Sequence, residues 1–130
     1  FLTGVAAALA YLSRSEITHY NVRSECVHTG KTDGLWKLGD LRTASTETYD
    51  LSVAQKKVLR EAQTFLKERC TNKPPEVADL SLKWLIGPKV DSFALGCVLF
   101  EALTGAAPEL PTGPGSGDDL RAWRVRFSAE

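Results

Sequence analysis

A mainly α-helical fold with short β-hairpins is predicted for this 130-residue chain, on three observations. Apolar residues recur at helical spacing in two stretches, 1–14 and 53–69. A third stretch, 91–104, is apolar almost all round, the pattern of a helix buried at the centre of its lobe. Between the first two lie short β-like runs separated by an Asp-Gly turn signal.

Each element follows in order. In the opening stretch Leu2, Val5, Leu9 and Leu12 share one helical face. That Ala-rich stretch could pass for a signal-peptide core, but it has neither a starting Met nor a basic leader, so a buried helix is expected and the chain reads as a fragment. Cys26-Val27-His28 and Leu35-Trp36-Lys37-Leu38 are the β-like runs, and Asp33-Gly34 turns between them. Residues 42–52, with Thr43, Ser45, Thr46, Thr48 and Ser52, read as an exposed hydroxyl-rich loop. A second helix over 53–69 takes Ser52 as its N-cap and packs Val53, Val58, Leu59, Ala62, Phe65 and Leu66 on its own lobe. Pro74-Pro75 halts what precedes it, and Gly105 closes the third helix. Residues 109–130 read as a Pro/Gly-rich linker and the start of a further helix.

Composition narrows the function. Sixteen basic and sixteen acidic side chains cancel, which argues against general binding of nucleic acid or anionic membranes. No apolar run reaches the roughly 20 residues that span a bilayer. Cys26, Cys70 and Cys97 are odd in number and widely spaced, so reduced thiols in the cytosol or nucleus are expected, with neither a disulfide framework nor a zinc site. The two histidines and Cys26 lack a fourth ligand, and Trp36, Trp84 and Trp123 read as core or rim aromatics. Lys56, Lys57 and Arg60 read as a solvated helix face.

Three segments carry the functional signal. They are Thr18-His19-Tyr20-Asn21-Val22-Arg23-Ser24-Glu25-Cys26, then Leu38-Gly39-Asp40-Leu41-Arg42, then Pro75-Glu76 with Lys89-Val90-Asp91-Ser92-Phe93-Ala94-Leu95-Gly96. Their order and spacing resemble the large lobe of a protein kinase, with its catalytic loop, metal-binding Asp-Phe-Gly, Ala-Pro-Glu and buried helix. Asp40 stands 21 positions after His19, close to the family's separation. Asp50-Leu51-Ser52-Val53-Ala54-Gln55-Lys56-Lys57, Pro75-Glu76-Val77-Ala78-Asp79-Leu80 and Ile86-Gly87-Pro88-Lys89-Val90-Asp91 are similar to the Numb-associated kinases, which include the cyclin-G-associated and adaptor-associated kinases.

The resemblance implies an incomplete protein-kinase-like C-terminal lobe over 1–108, with no small lobe and the later large-lobe helices missing. It implies a catalytic loop at 18–28, a metal loop at 40–42, an activation segment at 40–76 and the central helix at 91–104. Asn21 then stands where the family's Asp accepts a hydroxyl proton, a function an amide cannot perform, and general-base help is worth roughly 10²–10⁴-fold. Cys26 replaces an Asn that would hold a second magnesium, and sulfur is a poor ligand for that hard ion. Arg23 replaces the loop Lys and keeps its charge. Asp40 keeps the metal-binding carboxylate, but Arg42 replaces a glycine whose backbone angles are costly for Arg, and its guanidinium could pair with Asp40 in place of magnesium. Tyr20 replaces the Arg that clamps a phosphorylated activation loop. His19 and Leu41 are expected to fill the two apolar stacking positions, Asp91 to cap the catalytic-loop backbone, and Gly96 to allow close packing. Glu76 is expected to lack its Arg partner.

Two functional readings follow, beside a third in which the chain is a truncated product with no stable fold and an exposed, aggregation-prone inner face. One is a pseudokinase fragment that acts by binding proteins, vesicle-traffic components by family resemblance, and needs no cofactor. The other is an active serine/threonine kinase using ATP and magnesium, its small lobe lying outside this chain.

Overall fold

Leu2, Val5, Leu9 and Leu12 recur once per turn, and the chain is helical over Leu2–Arg14 (α1), burying Val5 and Leu9. The computed structural model describes residues 2–53 and 55–111. Val27–Thr29 (β1) and Trp36–Leu38 (β2) form an antiparallel hairpin with Val27 opposite Leu38. Gly34 takes a left-handed φ of 64° in its turn, as the Asp-Gly signal predicts. Helix α1 packs against β2 so closely that a Cβ on Gly4 would sit 2.6 Å from the Trp36 carbonyl oxygen. Only glycine fits there.

The loop expected over 42–52 is more structured than its polarity suggests. Thr18 and Ser45 form an antiparallel bridge, Tyr49–Asp50 (β3) pairs with Leu85–Ile86 (β4), and Leu51 is buried. Ser52 does not cap a helix. Its N–H and hydroxyl both bond to Asp50 Oδ1, at 3.1 and 2.5 Å, which closes a local turn instead. The second helix therefore starts later, at Lys56–Arg69 (α2), and Val53 is left 81% exposed. The rest of the stripe behaves as its period demands: Ala62 and Leu66 are buried, with Leu59 and Phe65 packed beside them.

Pro75–Ala78 (α3) is a single helical turn with proline in its first position. Lys89–Thr104 (α4) ends where Gly105 adopts φ 79°, a left-handed C-cap. Burial of α4 is one-sided, not all round. Val90, Asp91, Ala94, Cys97 and Val98 are buried, Phe93, Leu95, Leu99 and Phe100 are half-buried, and Leu103 is 79% exposed. The linker and further helix expected over 109–130 lie, from residue 112 on, outside the described residues.

Two apolar clusters meet along α4. Val90 joins Tyr20, Leu51, Ala62, Leu66, Cys70, Val77 and Ile86, while Ala94 and Val98 join Leu9 and Val22. Tyr20 and Val22 thus send alternate side chains of one loop into different clusters. The segment 19–22 is pinned between them.

Candidate functional site

The loop's backbone hangs from one carboxylate. Asp91 Oδ2 accepts from the His19 N–H at 2.7 Å and Oδ1 from the Tyr20 N–H at 2.9 Å, deep in the interior. Burial raises the Asp91 pKa, and the two N–H donors pull it partly back. This is the capping role expected of Asp91. Tyr20 has a φ of 66°, a left-handed conformation that a bulky residue adopts only when its surroundings impose it.

His19 is fully buried and joins the two loops. Its Nε2 lies 2.9 Å from the Gly39 carbonyl oxygen, and the Asn21 N–H approaches Nδ1 at 3.3 Å. One neutral tautomer, with the proton on Nε2, satisfies both contacts. Thr43 Oγ1 donates to the His19 carbonyl oxygen at 2.9 Å, a second tie that the sequence did not advertise. Leu41 does not share in the stacking expected of it. At 54% exposure it points away from the packed interior, inside a 3₁₀ turn over Leu41–Thr43.

Tyr20 is anchored by burial. Its hydroxyl donates to the Glu47 carbonyl oxygen, and its ring meets Phe65 edge-on at 5.1 Å. Burial pushes the phenol up to about 12, so it stays a protonated donor at any physiological pH. The segment is thus tied down without a phosphate.

Asn21 is committed to structure as well. Its Oδ1 accepts from the Thr71 N–H at 3.1 Å, and Asn72 Nδ2 returns a bond to the Val22 carbonyl oxygen at 3.0 Å. Thr71 and Asn72 were not among the residues singled out from sequence; two polar residues just before Pro74-Pro75 were the available signal. Cys26 is fully buried and its thiol donates to the Asn21 carbonyl oxygen at 3.4 Å. Burial raises its pKa, so it is held as a neutral thiol.

Asp40 is saturated by cations. Arg42 grips it with Nε on Oδ1 at 2.6 Å and Nη2 on Oδ2 at 3.0 Å, a two-point fork, and Arg23 Nη2 reaches Oδ2 at 3.0 Å. Arg23 is shared with Glu25, at 3.3 Å. The Arg42 guanidinium, with Arg23 behind it, holds the Asp40 carboxyl down at about 2. The backbone strain expected at Arg42 falls elsewhere. Asp40 itself takes the left-handed conformation, φ 55°, which an Asp tolerates better than an Arg.

This donor set fits magnesium poorly. Both Asp40 oxygens already accept guanidinium N–H groups, and the second position offers sulfur from a buried thiol. Among the described residues no group of three or more His, Cys, Asp or Glu could hold a metal ion.

Two further residues stand apart. Glu76 is half-buried and, among the described residues, has no ion pair; burial raises its pKa, opposed by a hydrogen bond from its own backbone N–H and by the charge of Lys89. Gly96 does not serve close packing here, since a Cβ built on it meets nothing within 4 Å among the described residues.

A loop hung from Asp91, a histidine tied to the Gly39 backbone and a helix over Lys56–Arg69 between two short paired strands are compatible with part of a protein-kinase-like lobe. No protein-family profile matches the chain. Over 105 residues, 79% of its length, it is 31% identical to the serine/threonine-protein kinase ENV7 of Saccharomyces cerevisiae. It spans 26% of that protein. The chain is related to protein kinases.

Proposed function

We propose that this chain is a pseudokinase segment, one that keeps the scaffold of a serine/threonine kinase lobe and acts by binding other proteins. The observation that carries the reading is the state of Asp40, whose two oxygens accept three guanidinium hydrogen bonds. A carboxylate so engaged must break a two-point ion pair before it can meet a cation. Asn21 supports the reading independently: its amide takes up no proton near pH 7, and its oxygen is already bonded to Thr71.

The setting we infer is the Numb-associated branch, cytoplasmic, with partners among vesicle-traffic proteins and no nucleic acid. No helix of the described residues is long and apolar enough to cross a membrane. The alternative is an active serine/threonine kinase completed by a small lobe outside this chain. It is favoured by the intact suspension of the loop from Asp91 and by the retained charge of Arg23, which would have to leave Asp40 and Glu25 to meet a phosphate.

The test is thermal shift with ATP and magnesium, on the parent and on Arg42→Gly, alongside radiolabel transfer from ATP to an acceptor peptide. The pseudokinase reading expects no shift and no transfer in the parent. Transfer that disappears in Asp40→Asn would overturn it in favour of the kinase.

A further inference from the structure

A hollow of about 630 Å³ lies between α2 and the segment that runs from Lys73 to Lys83. Its floor is apolar, built from Leu59 and Leu66 on α2 and from Val77 and Leu80 opposite. Four cations line it: Arg60, Lys67, Lys73 and Lys83. Among the described residues none of these four lies within 4.0 Å of a carboxylate, unlike Arg23, Lys37, Arg42 and Lys57. Among the described residues Asp79 is the one carboxylate lining the hollow; it is buried, and its Oδ1 is engaged by the N–H and hydroxyl of Ser81.

We propose that this hollow docks an acidic peptide segment of a partner protein, with a leucine-like side chain on the floor and carboxylates along the basic rim. The proposal rests on the protein-binding reading above and names the partner's chemistry. Charge decides the occupant. Four cations that are unpaired among the described residues, around one engaged carboxylate, repel a basic segment, gain nothing from a neutral one and attract an acidic one. The apolar floor favours a peptide over a nucleic acid, whose phosphates would use the rim and leave the floor uncovered.

Of the basic residues of α2, Arg60 and Lys67 line the hollow, while Lys56 and Lys57 do not. Residues 59, 63, 66 and 67 lie on one side of that helix, so the apolar Leu59 and Leu66 share a wall with the polar Gln63 and the cationic Lys67. Carboxylates reaching this rim work at partly exposed positions, so each contact is modest and screened by salt. Affinity therefore comes from several contacts at once.

The test measures anisotropy of a fluorescein-labelled peptide in which one Leu is flanked by Glu residues, titrated with the full chain without nucleotide. Binding should weaken with added salt, and a Lys-for-Glu or Gly-for-Leu peptide should bind at least about fivefold less well. Lys67→Glu with Lys73→Glu should weaken binding at least about tenfold. Should that pair fail to fold, Arg60→Gln with Lys67→Gln replaces it, with an expected loss of about threefold or more. Equal affinity in a folded variant overturns the proposal, as does indifference to the peptide's charge or tighter binding of a duplex oligonucleotide. Phosphotransfer measured on the same preparation reads the pseudokinase assignment separately, and peptide binding stands or falls without it.

Discussion

Replacing Asp91 by alanine removes the acceptor of two buried backbone N–H groups, those of His19 and Tyr20, at 2.7 and 2.9 Å. Each donor left without a partner in a buried site costs about 1–3 kcal/mol. Deletion also relieves a desolvation cost, since burial already raises the Asp91 pKa. The net loss is about 2–4 kcal/mol. A domain of this size loses roughly 4 °C of melting temperature per kcal/mol, so a drop of about 8–16 °C is expected. Asp91→Asn keeps one acceptor oxygen and should fall between alanine and the parent. The assay is a far-UV circular-dichroism melt with amide hydrogen exchange, in which His19 and Tyr20 should lose protection before α1 does. An alanine variant that melts within about 2 °C of the parent, with both amides still protected, would refute the claim that this carboxylate suspends the loop.

Four other outcomes follow from the same contacts. Arg42→Gly should move Asp40 up from about 2 toward the usual carboxylate range, read by NMR titration of its carboxyl carbon; because its folded pKa is depressed, stability from that group is present above about pH 4 and lost as pH falls toward 2, and the variant should lose less over that window. Glu76 has the opposite sign: its folded pKa is raised, so its burden grows as pH rises past about 4, and Glu76→Gln should melt higher than the parent at pH 7 with a flatter dependence on pH. Tyr20→Phe keeps the edge-on ring contact and loses only the bond to Glu47, a cost of about 0.5–1.5 kcal/mol measurable by urea unfolding. Leu41→Ser should change stability by less than about 0.5 kcal/mol, since the side chain is exposed; a loss above about 1.5 kcal/mol would restore it to the stacking position.

Much of the fold was legible because local patterns and tertiary demands agree. The repeat of Val5 and Leu9, the Asp33-Gly34 turn and the Gly105 cap are each set within a few residues. What misled was competition between neighbours. Ser52 fits an N-cap, but Asp50 two residues earlier offers its N–H and hydroxyl a nearer acceptor, and the helix starts four residues later. Leu41 was assigned by its place in a motif, and nothing in its sequence says that a 3₁₀ turn would carry it outward. For the site, motif positions located Asn21, Asp40 and Asp91, and the chemistry of an Arg beside an Asp pointed to the ion pair. The roles of Thr71, Asn72 and Thr43 were not legible, because they pair with groups distant in sequence; a polar pair before Pro74-Pro75 and a place in a hydroxyl-rich loop were all that marked them.

Asp91 stands 72 positions beyond the amide it holds. During synthesis, at roughly 5–20 residues per second, the segment around His19 therefore waits about 4–14 s before its anchor leaves the ribosome. Until then nothing compels Tyr20 into its left-handed turn, and the nascent loop samples ordinary extended shapes. The same remoteness sets a boundary for anyone who shortens the protein: a cut ahead of residue 91 deletes no residue of the loop and still abolishes its form.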